Sequence, residues 1–295
     1  MNEELIKSKI TIGLSVYNGD DTLERTINSL LSQTYDNFQL ILVDNVSTDK
    51  TAKICSNYVK KDSRVKYVRR RRKLHIAQSW AKLVENINTE YFMFAADDDI
   101  YESTFIEKNI EFLCKNLEFV ASIGDIKLFG EHIKKYFSDT NKDFTDELEK
   151  KNRFVRTISG TYEEKVKNIL EFNWCMNIYS VFRTEQLQKG ITNKTFTSWD
   201  FAFLLSMIKY GDFNVLDEKL LSRDTGGETS LKLTIIDAKK RAGDSGIGIY
   251  FPYVGYTVWC LQKFGLKLFF NHILHFKYLN AHTAKKMLRE IIGNS

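Results

Sequence analysis

Three observations in the N-terminal third of the chain predict an α/β fold organised around a parallel sheet. Apolar runs alternate with amphipathic stretches of roughly 10 to 13 residues, the pattern of successive βαβ units. The runs are nearly continuous in apolar residues, as strands covered on both faces require. Three of the four runs end in charged residues, and in such sheets ligands gather outside the carboxyl ends of the strands.

The elements follow in order. KITIGLSVY, residues 9–17, reads as the first strand. DTLERTINSLLSQ, residues 21–33, reads as a helix with Asp21 as N-cap and Glu24, three residues on, completing a capping box. FQLILVD, residues 38–44, is the second strand, and STDKTAKICSNYV, residues 47–59, a helix capped by Ser47. RVKYVR, residues 64–69, is a short third strand, IAQSWAKLVENI, residues 76–87, the third helix, and YFMFAA, residues 91–96, the fourth strand. Together they form half of a doubly wound α/β fold.

The strand ends then carry the functional reading. They are Ser15-Val16-Tyr17-Asn18, Asp44-Asn45, the run Arg69 to Arg72, and Asp97-Asp98-Asp99. Three adjacent carboxylates repel one another, and a bound cation resolves that conflict. A dinucleotide fold requires G-x-G-x-x-G in the first turn, but this turn is YNGDDT with the single Gly19, and no P-loop is present. A phosphate finds no glycine cradle here, so its charge has to be met by a cation and by arginines.

Composition bounds the rest. With 295 residues and 43% apolar content, the chain suits one large domain or one domain with an appendage. No basic, apolar signal segment precedes the first strand, so cytosolic synthesis and residence are expected. Cys55, Cys114, Cys175 and Cys260 form no C-x-x-C pair and read as reduced core residues. The net charge of +5 divides into +7 for residues 231–295 and −2 for residues 1–230.

The segments TIGLSVYNGDDTLERTINSLLSQTYDNFQLILVDNVSTDKT and EYFMFAADDDIYEST, in this order and spacing, resemble the nucleotide-sugar half of a family 2 glycosyltransferase with the GT-A fold. MNIYSVFRTEQL, TSWDFAFLLSMIKYGDF and LLSRDTGGETS extend the resemblance to about residue 230. It implies a Rossmann-like nucleotide-binding half over about residues 1–100 within a mixed central sheet, an acceptor side over about 101–230, and a helical tail over 231–295.

Several site residues follow from the resemblance. Asp200 corresponds to the general base of an inverting transfer, and Trp199 beside it offers a flat face to an acceptor sugar. Asp98 becomes the principal ligand of a divalent metal, Mn or Mg, with Asp99 or Asp97 assisting it or binding ribose; Ala96 stands where relatives often have the first aspartate. Asp44 would accept from the imide nitrogen of a pyrimidine base, with Ser15, Tyr17 and Asn18 lining the nucleoside pocket and Arg72, ahead of Arg70, reaching it. Arg223, Asp224 and Thr225 stand where relatives often carry a histidine, and Gly226 and Gly227 would let Arg223 ride on a mobile lid.

The implied partners are a nucleoside diphosphate sugar, with UDP favoured, and a glycan or lipid-linked saccharide, with no nucleic acid. The rival reading is a non-catalytic sugar-nucleotide binder or a nucleotidyltransferase-like protein. The tail, beginning SGIGIYFPYVGYTVWCLQ, has too many Gly and Tyr/Trp residues for a spanning helix. It reads as amphipathic helices lying on a membrane with Lys263, Lys267 and Lys277 toward anionic headgroups, or packing on the catalytic domain or a second subunit.

Overall fold

The computed structural model describes residues 9–130, 154–172, 175–225, 251 and 253–292. The N-terminal elements are β1 (Ile10–Val16), α1 (Leu23–Leu31), β2 (Phe38–Asp44), α2 (Thr51–Lys61), β3 (Val65–Arg69), α3 (Ile76–Val84) and β4 (Tyr91–Ala95). There follow β5 (Ile100–Tyr101), α4 (Phe105–Lys115), β6 (Phe119–Phe129), α5 (Tyr162–Phe172), a 3-10 turn (Met176–Tyr179), β7 (Val181–Arg183) and α6 (Thr184–Gly190). The last elements are α7 (Trp199–Met207), β8 (Asp212–Asp224), α8 (Val254–Asn271) and α9 (Ile273–Ile292).

Among the described residues one eight-stranded sheet runs β3-β2-β1-β4-β7-β6-β8-β5. The first four strands are parallel neighbours, as their continuous apolar runs predict, and β7 then enters antiparallel to both β4 and β6. β6 pairs with β8 in parallel through register shifts at Gly124 and Asp125. The sheet is therefore mixed, with its parallel half carrying the N-terminal strand ends.

The core sits where the two halves meet. Trp80 of α3 stacks on Phe94 of β4 with ring centroids 4.0 Å apart, and Phe182 lies edge-on to Phe94, Phe203 and Phe213. Gly13 in β1 is required by close approach, since a Cβ there would lie 2.5 Å from the Phe92 ring. Phe92, Phe94, Phe182 and Phe203 are fully buried, so this cluster locks α3 and α7, the two helices nearest the strand ends, onto one sheet.

Two expected caps are not formed. α1 begins after Thr22 and α2 after Lys50, neither with a side-chain cap. Ser47 instead accepts the Asn18 amide, and Asp20 and Asp49 bond across the same two loops. Side chains that local rules assign to helix ends thus tie the β1 loop to the β2 loop.

The tail packs on the loop before α7. Tyr256, Trp259 and Cys260 are buried, and Phe196, in the loop before α7, meets Tyr256 and Trp259 at 6.4 Å. Phe269 stacks on Phe276 at 4.8 Å, holding α8 against α9. Among the described residues no helix is long and apolar enough to cross a membrane. The expected boundary near residue 230 and the two lid glycines lie outside the described residues.

Candidate active site

The parallel strand ends form a floor whose parts are cross-linked by side chains. Ser15 Oγ at the end of β1 bonds Ser79 Oγ of α3 at 2.9 Å, and Arg70 donates to the Ser79 carbonyl at 3.2 Å. Asn18 is left-handed, with φ 53°, and its Oδ1 accepts the Thr48 amide at 2.8 Å. Tyr17 is exposed and the Lys73 ammonium lies over its ring. Val46, with φ 71°, holds a conformation costly for a β-branched residue. Such strain is stored where the surrounding bonds over-determine the loop.

Asp44 has no exposed surface. Its Oδ1 accepts the Ser47 amide at 2.6 Å, while Oδ2 takes the Tyr67 hydroxyl at 2.9 Å and pairs with Arg69 at 3.3 Å. The expected contact to a base would require one of these partners to give way. Arg72 is exposed, away from Ser15, whereas Arg70, ranked behind it, turns inward. The order of the two arginines is therefore reversed: the chain direction at the end of β3 points Arg70, not Arg72, at the floor.

The acidic loop separates its three carboxylates. Asp97 and Asp98 are half-buried and no described side chain donates a hydrogen bond to either carboxylate. Burial, then the neighbouring Asp98 charge, pushes the Asp97 carboxyl up to about 7. Burial also raises Asp98, with Arg223 opposing it. Asp97 lies against the β1 loop, where a Cβ on Gly19 would approach its Oδ2 to 2.5 Å.

Asp99, expected to assist Asp98 at a metal or to bind ribose, already has partners on β8. It is fully buried and accepts the Asp224 amide at 3.2 Å, with Arg223 at 3.5 Å. Its carboxyl rises to about 7 because burial outweighs the pull of Arg223. Both contacts come from β8. Arg223 is likewise not on a lid, because it lies within β8, paired in register with Leu128, and its guanidinium stands 4.4 Å from the Tyr179 ring centroid.

Asp200 lies in the first turn of α7, entered through left-handed Ser198. Its Oδ2 accepts the Cys175 thiol at 2.8 Å and its Oδ1 the Phe201 amide at 2.9 Å. Burial raises its carboxyl above the ordinary aspartate range, with the Cys175 bond opposing that rise. Trp199 is partly buried, edge-on to Trp80 at 5.3 Å.

Arg223 acts electrostatically on Asp98, Asp99 and Asp200 at once, so these residues form one site. Three of its supporting residues have no local sequence signal. Arg25 donates to the Asp98 carbonyl at 2.6 Å and to Asp224 at 2.9 Å. Cys175 and Tyr179 reach Asp200 and Arg223 from the turn before β7.

The carboxylate pair Asp97–Asp98 fits a divalent cation. Its oxygens are hard donors, the ligand type such a cation takes, and no described side chain bonds either carboxylate.

Comparisons with known proteins give the family and the fold. The sequence model described as Glycosyl transferase family 2 matches residues 11–182. Glycosyltransferase GlyA of Streptococcus pneumoniae is 30% identical over 130 residues, covering 43% of this chain and 18% of that protein. Putative glycosyltransferase EpsE of Bacillus subtilis is 31% identical over 124 residues, covering 42% and 45%. The chain thus spans less than half the length of these curated relatives.

Among solved structures, residues 1–349 of TarS from S. aureus in complex with UDP superpose with a TM-score of 0.58 at 16% identity, covering 95% of this chain and 71% of that one. The mannosyltransferase PcManGT of Pyrobaculum calidifontis, in complex with GDP-Man and Mn2+, gives 0.57 at 12% identity, covering 98% and 77%. At those identities the likeness is one of fold.

Proposed function

Because the chain belongs to glycosyl transferase family 2 and carries the GT-A fold, we propose that it moves a sugar, with inversion, from a nucleoside diphosphate sugar to a hydroxyl of a glycan or lipid-linked saccharide. UDP is the favoured nucleotide, and neighbours of the same fold bind UDP and UDP-GlcNAc. The observation that carries the reading is a dicarboxylate, Asp97–Asp98, that no described side chain bonds, together with a separately held carboxylate, Asp200, whose oxygens take the Cys175 thiol and the Phe201 amide.

The chemistry follows from these positions. Asp200 accepts the proton of the acceptor hydroxyl as that oxygen attacks the anomeric carbon, and the bond to the diphosphate breaks on the opposite side. Its raised pKa makes it a stronger base than an exposed aspartate, and the Cys175 thiol and Phe201 amide orient the carboxylate. Arg223 supplies fixed positive charge close to the site where the diphosphate gains negative charge. Asp98, with Asp97 beside it, would hold a divalent cation, which supplies Lewis-acid stabilisation of the leaving diphosphate. A Mn2+-bound neighbour supports that assignment.

The tail favours an acceptor carried at a membrane surface. Leu266, Phe270, Leu274 and Tyr278 are exposed, with Leu274 at 76%. Lys263, Lys267 and Lys277 lie among them, and no acidic residue occurs between Val254 and Leu288. An interfacial helix needs this combination of apolar side chains and cations.

The test is thermal shift of the full chain with UDP, GDP, CDP and ADP, each with and without Mn2+. Selective stabilisation by UDP with Mn2+ supports the reading. Nucleotide release from UDP-sugars that depends on an acceptor and on Asp200 separates a transferase from a sugar-nucleotide binder or a nucleotidyltransferase-like protein. Indifference to every nucleotide diphosphate would sink it.

A further inference from the structure

The arginine run after β3 is divided by the fold. Arg69 turns to Asp44 and to the Ser47 carbonyl, and Arg70 to Ser79. Arg71 and Arg72 remain exposed and make no hydrogen bond or ion pair with any described residue. With Arg70, Lys82 and Gln78 they line a groove of about 540 Å³ whose far wall includes Asn193. Gln78, Lys82 and Glu85 come from one face of α3, opposite the face that buries Trp80.

This wall holds four cations against one carboxylate, Glu85. Lys82 also has no partner among the described residues, and the buried Nε of Arg70 has none either. Clustered like charges of this kind raise a positive potential that oxyanions relieve, and guanidinium groups bind them with charge-assisted hydrogen bonds. No aromatic side chain lines the groove, so it lacks the stacking platform that single-stranded nucleic acid uses. Its amides, Gln78 and Asn193, suit sugar hydroxyls. Asn193 belongs to the loop that leads into α7 and Asp200, so the groove shares that loop with the proposed base.

We propose that this groove binds an acidic stretch of the acceptor glycan, with carboxylates or phosphodiesters at Arg71, Arg72 and Lys82 and neutral hydroxyls at Gln78 and Asn193. The proposal rests on the reading that the acceptor is a glycan, and it names the chemical class of that glycan.

Fluorescence anisotropy of the full chain tests it with labelled oligogalacturonate, inorganic polyphosphate, a length-matched dextran oligomer and an oligothymidylate, each at low and moderate salt. At least one acidic probe should bind about tenfold or more tighter than dextran, and its affinity should fall with salt. Preference for oligogalacturonate assigns carboxylate groups, and preference for polyphosphate assigns phosphate oxyanions. The double variant Arg71→Gln, Lys82→Gln should lose about tenfold or more in that affinity while acceptor-independent nucleotide release stays unchanged. The proposal fails if dextran binds as tightly as both acidic probes, if the double variant keeps wild-type affinity, or if oligothymidylate binds about tenfold or more tighter than either acidic probe. Acidic-probe binding in a chain that releases no nucleotide from any sugar donor would overturn the transferase reading and leave the groove as an acidic-glycan site.

Discussion

At the end of β2, Asp44 is fully buried, and its two oxygens take the Ser47 amide, the Tyr67 hydroxyl and Arg69. At the end of β4, separated from it in the sheet by β1, Asp97 and Asp98 are half-buried and receive no side-chain donor from the described residues. Both ends are acidic, and both belong to parallel strands. The first already receives three donors from the fold, which tie the β2 loop to β3. The second carries negative charge that the fold leaves to something else. What distinguishes a structural carboxylate from a binding one here is the supply of donors rather than depth, since Asp99 is as buried as Asp44 and is met by Asp224 and Arg223.

The comparison breaks most directly at Asp98. Asp98→Ala should remove metal-dependent nucleotide binding, a loss of several kcal/mol if the residue is the main ligand. Its melting temperature should hold or rise. The folded-state pKa of Asp98 is raised, so its charged form opposes folding at neutral pH, and deleting the charge removes that penalty. Mn2+-dependent UDP binding that survives in the folded variant would move the cation elsewhere.

Asp200→Asn keeps the shape but cannot take a proton, so transfer should fall by about 10²-fold or more with donor affinity retained. In the wild type, activity requires the ionised carboxylate. The acid limb of kcat/KM should therefore lie above the ordinary aspartate pKa of 3.8, with activity present above that limb and lost as pH falls through it. An acid limb at or below 3.8 would contradict the role of burial at this residue.

Arg223→Met sharpens the contrast from the closed side. It leaves Asp99 buried without its cation, and loss of one partner of a buried pair costs about 3 kcal/mol. For a chain of this size that corresponds to roughly 5 to 10 °C in melting temperature. Unchanged stability would show that the Asp224 amide alone satisfies Asp99.

The smallest effect on chemistry is expected in the tail. Phe270→Glu with Leu274→Glu should weaken sedimentation with anionic liposomes by about tenfold or more and leave nucleotide binding intact. Equal sedimentation of the variant and the wild type would detach the tail from membranes.

Much of the parallel half was legible because its signals are local. β2 has the bounds that its apolar run and terminal Asp44 suggest. The acidic loop was legible as a cluster, but the side to which each carboxylate turns depends on β8, more than a hundred residues away in the sequence. The same distance hid Arg25, which reaches Asp98 and Asp224 from α1. Ser47 misled because capping rules consider only the residue's own helix, and here the β1 loop competes for the same side chain. Arg72 misled because charge on a run does not say which side chain the turn aims inward.

Gly19 shows what the closeness of these loops entails. It is not among the residues with positive φ, so its conformation does not call for glycine. Space does, because a methyl group there would press on Asp97 Oδ2. The β1 loop cannot easily retreat, since the Gly19 amide is held by Thr51 and the Asn18 amide by Ser47. One hydrogen atom therefore acts as the spacer between the β1 loop and the acidic loop. Gaining a side chain at position 19 would push these two loops apart, so if the proposed donor site is right, variation there is bounded by the length of a diphosphate rather than by the needs of a turn.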